Sequence, residues 1–184
     1  KVNMAYILLL TAILLIGFWK YKKEKLYSFL KNMRIPQVLY HLGLLAIGLG
    51  SGLIFSKANI SFTFFNVLGF FVISEAVIFS WLASIVINDI FDEKIDAISN
   101  PQRPLLKKDF SLSEYKSMGL IFFALSVYLS FLINPEISFF LIAYQAIAWI
   151  HSAWPLRLKR FAFISTFISA IASILIFFSG YILV

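Results

Sequence analysis

The chain alternates long apolar runs with short polar connections. Six apolar segments run approximately from Met4 to Trp19, Ile35 to Phe55, Ile60 to Ile87, Ser117 to Ile133, Ile137 to Trp154 and Phe163 to Val184. Each approaches the roughly 20 residues that cross about 30 Å of hydrocarbon. The third is long enough to tilt or to run past the hydrocarbon. Every face of these runs is apolar, so periodicity does not decide between helix and strand. The backbone decides it, because a lone strand cannot satisfy its polar groups in lipid and a helix can. The pattern predicts an all-α polytopic transmembrane bundle with about six spans. No internal repeat, low-complexity tract or second soluble domain interrupts it.

Charge alternates between the connections. Lys20, Lys22, Lys23, Lys25, Lys31 and Arg34 follow the first run; Lys94, Arg103, Lys107, Lys108 and Lys116 follow the third; Arg157, Lys159 and Arg160 follow the fifth. The opposite side has Lys1 and Lys57, so fourteen of the sixteen basic residues share one side. The positive-inside rule makes that side cytoplasmic, which puts the N-terminus outside. The first run is expected to be a span or signal anchor, since its basic flank follows it and no small-residue cleavage site appears. The basic stretch after it, interleaved with Leu26, Tyr27, Phe29 and Leu30, suits a linker on an anionic leaflet.

Composition agrees. The chain is 61% hydrophobic and 14% charged, against about 45–50% and 25% in globular domains. Its net charge of +7 flanks the apolar runs, so the expected partner is a lipid bilayer and not nucleic acid. The absence of cysteine excludes disulfides, thiolate metal sites and cysteine nucleophiles. No nucleophilic triad, P-loop or dinucleotide fingerprint is present.

The chemistry concentrates in "NDIFDEKIDAISNPQRP", where four of the nine acidic residues fall between Asn88 and Asp96 at the end of the third run. Asp89, Asp92 and Asp96 at i, i+3, i+7 fall on one helical face, and Asn88 joins its edge. Like charges in one stripe repel, and a hard divalent cation held by carboxylate and amide oxygens removes the conflict. Mg²⁺ suits a site where a substrate diphosphate supplies further ligands. Two prolines then end the helix and bring Arg103 back, and its planar guanidinium suits a phosphate oxygen. The plainer reading is an acid-decorated helix end neutralised by Lys94, Lys107 and Lys108.

This stretch resembles the first aspartate-rich motif, NDxxDxxxD followed by NxPxRP, of the UbiA superfamily of intramembrane prenyltransferases, with Ser99 in place of the second element's Asn. "IHSAWPLRLKR" is similar to the family's YSxPPLRLKR loop, with His151 in place of Tyr. "MRIPQVLYHLGLLAIGLG" resembles the Arg-Pro opening of its first core helix, with Ile35 between Arg34 and Pro36. The resemblance implies Mg²⁺ held by Asn88, Asp92 and Asp96, with Asp89 as a further ligand. It implies diphosphate contacts from Arg103, Arg157 and Lys159, and transfer of a polyprenyl group from its diphosphate to a lipid-soluble aromatic or alcohol acceptor. Such acceptors serve quinone, chlorophyll or ether-lipid synthesis. Residues 35–184 would form the UbiA-type domain, and residues 1–34 an extra N-terminal helix with a basic cytoplasmic linker.

The family also carries a second aspartate motif and about nine helices, whereas no Asp follows Asp109. The chain is therefore expected to be part of a longer protein that supplies the rest. An inactive or partner-dependent protein, or a cation-binding transporter or channel, is the alternative. Arg34, Glu75, Ser84 and His151 are the acceptor-pocket candidates. Glu75 and Ser84 also have blander readings, as a neutral hydrogen-bonded carboxyl and a hydroxyl bonded back to its own helix. Ser80 could extend the same polar wall or, more commonly, bond back to its own helix; His41 and His151 read equally as plain hydrogen-bonding residues, and Ser111 or Ser113 is expected to cap the next helix.

Overall fold

The computed structural model describes residues 2–56 and 64–184. Lys1, Lys57 and the expected start of the third span at Ile60 lie outside the described residues. The order of elements is α1 (Val2–Asn32), α2 (Ile35–Ser56), α3 (Phe64–Phe91), α4 (Glu93–Ser99), α5 (Leu112–Ile133), α6 (Pro135–Ser152), a 3-10 turn at Leu158–Arg160, and α7 (Ala162–Tyr181). There is no strand among the described residues.

Each expected apolar run forms a helix, but they are not equivalent as spans. Helices α2, α3, α5 and α7 are long and apolar enough to cross a membrane, and α1 joins them if its two halves count as one span. Helix α6, 18 residues long and carrying Glu136, Gln145 and His151, is not among them. The first run departs most from expectation. Its helix bends by 116° between Met4–Lys20 and Lys22–Asn32, with Lys22 at non-helical φ −139°, ψ 44°. The basic linker is thus a second helix lying across the bundle end. Leu26 and Phe29 face inward while Tyr27 and Leu30 stay exposed, the disposition of an interfacial amphipathic helix.

Local sequence explains the other boundaries. Ser111 caps α5 through a reciprocal box: its hydroxyl accepts from the Glu114 N–H and its N–H donates to Glu114 Oε2, as Ser-x-x-Glu favours. Asn134 caps α6, with Pro135 in the first turn where its missing N–H has no cost.

Helix α3 lies at the centre. It packs most extensively on α5, while α2 packs most extensively on α7. The shared core contains Leu45, Val72, Ile73, Val77, Leu141 and Ile176, and the outward faces carry exposed Leu, Ile and Phe, as expected for lipid contact. Glycines set the α2–α7 spacing: a Cβ at Gly48 would lie 2.0 Å from the Phe177 carbonyl oxygen, and one at Gly180 2.1 Å from that of Leu45. Gly48 and Gly52 form a small-xxx-small pair that lets two backbones meet. Polar ties are few and specific. Gln145 on α6 donates to the Ser80 carbonyl and hydroxyl at 2.5 and 2.7 Å, so Ser80 is buried structure and not a wall of the site. Trp81 donates to the Met33 carbonyl at 3.0 Å and ties α3 to the α1–α2 connection.

Candidate functional site at the basic end of the bundle

The three basic connections converge on one end of the bundle, around the α3–α4 junction. There the expected continuous acidic stripe is interrupted. Helix α3 ends at Phe91 and α4 begins at Glu93, with Asp92 between them at φ −99°, ψ 6°. The carboxylates fall into two clusters, each with its own cations.

The first cluster contains Asn88, Asp92, Arg157 and Lys159. Arg157 donates to Asp92 Oδ1 at 2.6 Å, and the Lys159 ammonium donates to Asp92 Oδ2 at 2.5 Å and Asn88 Oδ1 at 2.9 Å. Ser152 adds a longer bond to Asn88 Oδ1 at 3.3 Å. The loop after α6 thus lays two cations against the motif on α3. Arg157 reaches it from a left-handed backbone, φ 42°, a conformation that costs about 1 kcal/mol or more in a non-glycine residue and persists where its surroundings fix it. Burial holds the Lys159 ammonium below the ordinary lysine pKa, against the opposing pull of Asp92.

The second cluster surrounds Asp89, which is 2% exposed. It accepts from Asn32 at 2.6 Å, Tyr115 at 2.9 Å and Arg34 at 3.2 Å. Arg103 Nε lies 3.8 Å from Asp89 and 3.4 Å from Asp96, and Arg103 also donates to Asn32 Oδ1 at 2.5 Å. Arg34 is again left-handed, φ 55°. Burial lowers its pKa first and the neighbouring Arg103 charge second. Asn32 and Tyr115, which the sequence reading missed, connect α1 and α5 to the motif. Their only signal was position: a polar residue at the end of a basic amphipathic stretch and a tyrosine one turn into α5.

Between the clusters a cavity of about 300 Å³ descends into the bundle, lined by Arg34, His41, Ser84, Asn88, Tyr144 and His151 among others. Three of the four acceptor-pocket candidates therefore meet. Ser84 also bonds back to the Trp81 carbonyl at 2.7 Å. Glu75 does not line this cavity; it lies beside Thr11 of α1. Four helical turns carry the line from Asp89 to Glu75 down the α3 face that meets α1, away from α2 and α6. His41, read as a plain hydrogen-bonding residue, also lines the cavity, with Nδ1 2.6 Å from the Gln37 carbonyl and Nε2 3.1 Å from the Tyr144 hydroxyl. His151 meets the Ser165 hydroxyl at 2.9 Å.

As a metal site the donor set fits in part. Asn88 Oδ1 and the Asp92 and Asp96 carboxylates are hard oxygens of the kind Mg²⁺ accepts, and Asp96 Oδ2 is buried without a hydrogen-bond partner. Among the described residues no group of three or more acidic or histidine side chains is gathered around one point. A metal held by these residues would need further ligands from substrate and water.

Taken together, this is an intramembrane helical bundle with an acidic motif clamped by cations above a polar cavity. Residues 44–184 match the UbiA prenyltransferase family, and the chain belongs to that family. It is 44% identical over 59 residues to digeranylgeranylglyceryl phosphate synthase of Methanobrevibacter smithii, a match covering 32% of this chain and 21% of that protein. It is 33% identical over 95 residues to the protein of that name from Sulfurisphaera tokodaii, covering 52% and 33%. A solved structure described as giving insight into digeranylgeranylglyceryl phosphate synthase in membranes superposes with TM-score 0.70 at 28% identity, over 85% of this chain and 53% of that one. A UbiA homolog from Archaeoglobus fulgidus bound to DMAPP and Mg²⁺ superposes with TM-score 0.63 at 21% identity, over 84% and 53%. The chain thus spans about half the length of these solved relatives, and its matches cover a fifth to a third of the curated ones. Family and bundle together make it an integral membrane protein.

Proposed function

We propose that this chain carries the diphosphate-binding part of a Mg²⁺-dependent prenyltransferase, moving a polyprenyl group from its diphosphate to a lipid-soluble alcohol. The observation that carries the reading is the clamp of Arg157 and Lys159 on Asn88 and Asp92, beside the polar cavity that Asn88 lines. In the reaction the allylic C–O bond breaks with its electron pair leaving on pyrophosphate. The acceptor oxygen then bonds to that carbon and releases its proton. Arg157, Lys159 and Arg103 stabilise charge developing on the departing group. Asn88, Asp92 and Asp96 would hold Mg²⁺, which supplies further charge stabilisation there. The helix walls exclude water from the cationic carbon. Matches to digeranylgeranylglyceryl phosphate synthases favour an ether-lipid acceptor over the aromatic acceptors of quinone synthesis or the chlorophyll precursors. The basic end faces the cytoplasm and the N-terminus lies outside. Residues 1–34 are an addition that spans and then caps the catalytic unit of residues 35 onward.

Membranes carrying the full-length protein test this with a polyprenyl diphosphate and an alcohol lipid. Prenylated lipid and pyrophosphate are expected with Mg²⁺, and neither after chelation by EDTA. Product unaffected by chelation would overturn the metal assignment.

Lys159 adds a pH dependence. Its ammonium loses its proton at a lower pH than a solvated lysine does, so diphosphate binding is expected to weaken as pH rises, beginning below the ordinary lysine value of 10.5. Lys159→Arg should move that alkaline limb upward, because guanidinium stays charged. Calorimetric titration of geranyl diphosphate between about pH 7 and 10 checks it. An alkaline limb that does not move in the variant would exclude Lys159 as its origin.

A further inference from the structure

Prenyl transfer to an alcohol releases a proton, and no carboxylate among the described residues lines the polar cavity that descends from Asn88. Its wall holds instead a pair of groups able to take that proton. His41 Nδ1 lies 2.6 Å from the Gln37 carbonyl oxygen, one turn earlier on α2. A carbonyl only accepts, so Nδ1 carries the hydrogen and Nε2 presents a lone pair. The Tyr144 hydroxyl of α6, 3.1 Å away, therefore donates to Nε2. Its oxygen keeps lone pairs for a hydroxyl that enters the cavity.

The surroundings place this pair at the reacting end and suit it to a proton. Ser84 lies beside the Tyr144 hydroxyl. It stands four residues before Asn88, about one helical turn or 6 Å along α3. The pair is thus one turn below the amide that Lys159 grips. His41 and Tyr144 are 8% and 4% exposed, screened from bulk water. The imidazole stands against the Trp81 ring with centroids 4.8 Å apart, and an indole attracts a cation within about 6 Å. A protonated His41 would keep the Gln37 carbonyl on one nitrogen, the Tyr144 oxygen on the other and Trp81 beside its ring. His151, the second imidazole in the wall, is already held between the hydroxyls of Ser165 at 2.9 Å and Ser152 at 3.4 Å.

Resting on the proposed prenyl transfer, we infer that Tyr144 and His41 form the proton relay that activates the acceptor hydroxyl. As the bond to pyrophosphate breaks and the acceptor oxygen bonds to the allylic carbon, the acceptor's proton passes to the Tyr144 oxygen. The tyrosine's own proton passes to His41 Nε2, so Tyr144 ends neutral and His41 ends as imidazolium. The imidazolium gives that proton to water after the product leaves. Tyr144 touches the acceptor and is the catalytic residue; His41 acts through it.

The test follows turnover by the full-length protein in detergent, with geranyl diphosphate, Mg²⁺ and a glycerol monoether as the alcohol lipid. Tyr144→Phe keeps the ring and removes the hydroxyl, and His41→Ala leaves a space that a free azole can enter. Expected for each is a fall in kcat of about 10²-fold or more, as for a positioned proton acceptor. Mg²⁺-dependent binding of geranyl diphosphate should stay within about twofold, because the pair acts after that binding. Added imidazole should restore His41→Ala, and triazole, similar in size but far less basic, should not. Neither azole should restore Tyr144→Phe, which carries the test alone if His41→Ala does not stay monodisperse on gel filtration. Equal rescue of His41→Ala by both azoles would make His41 a space-filling residue, and rescue by neither would confine it to packing; either result overturns the relay. So would a Tyr144→Phe kcat within about twofold of wild type, or a loss of geranyl diphosphate binding as large as the loss of rate. Failure of the prenyl-transfer reading is distinct, because wild type itself would then make no prenylated ether.

Discussion

Asp92→Asn is expected to lower Mg²⁺-dependent prenyl transfer by on the order of 10²–10³-fold or more, the range seen when one preorganised charge-stabilising group is removed. Asp92 is the one carboxylate that both loop cations grip, through Arg157 at 2.6 Å and Lys159 at 2.5 Å. It also sits between the end of α3 and the start of α4. The amide keeps the shape and one acceptor oxygen but removes the charge. Mg²⁺ affinity should fall, and Arg157 and Lys159 would be left without their counterion. Membrane insertion should not change, because Asp92 contributes nothing to an apolar span. Isothermal titration of geranyl diphosphate with and without Mg²⁺ separates the roles. Loss of only the Mg²⁺-dependent part supports a metal ligand; equal loss with and without Mg²⁺ makes Asp92 an aligner of cations. Transfer at the wild-type rate would remove it from the site altogether.

Part of this arrangement was legible in the sequence because it is local. Hydropathy gave the helices, the Asn-Asp-x-x-Asp spacing gave the acidic junction, and Ser111-x-x-Glu114 gave a helix start. The alternation of basic connections foretold that Arg34, Arg103, Arg157 and Lys159 would gather at one end. What was not legible depends on how elements meet. Lys22 sits in a run of lysines with no proline or glycine, so nothing local marks the bend that turns a linker into a second helix. The acidic stripe placed its carboxylates together, and their division depends on which cations the α1–α2 connection, the loop after α4 and the loop after α6 bring to each. Asn32 and Tyr115 acquire meaning only once α1 folds back over α5. His41 and Glu75 exchange places for the same reason. Each is a lone ionisable residue in an apolar run, and only the packing of α2, α6 and α7 shows that His41 faces the cavity and Glu75 does not.

Asp89→Leu is expected to destabilise the bundle by about 3–5 kcal/mol, the cost of removing one partner from a buried ion pair. The side chain of Asp89 is 1% exposed and lies against Arg34 at 28% and Arg103 at 17%. Its oxygens collect donors from three separate elements: Asn32 of α1, Tyr115 of α5 and Arg34 of the α1–α2 connection. Leucine would leave those donors facing apolar surface and release Arg103 from one of its two carboxylates. Asp89→Asn retains an acceptor and should lose less, about 1–3 kcal/mol. Stability can be followed by unfolding in mixed detergent micelles, with limited proteolysis reporting release of the helix at residues 22–32. The same variants decide between two roles for Asp89. As an anchor, it should cost stability while the surviving folded fraction of Asp89→Asn keeps its Mg²⁺ affinity. As a metal ligand, it should cost Mg²⁺ affinity at nearly unchanged stability. The anchor is the role its surroundings favour, because a carboxylate already engaged by Asn32, Tyr115 and Arg34 has little of its oxygen left to offer a cation.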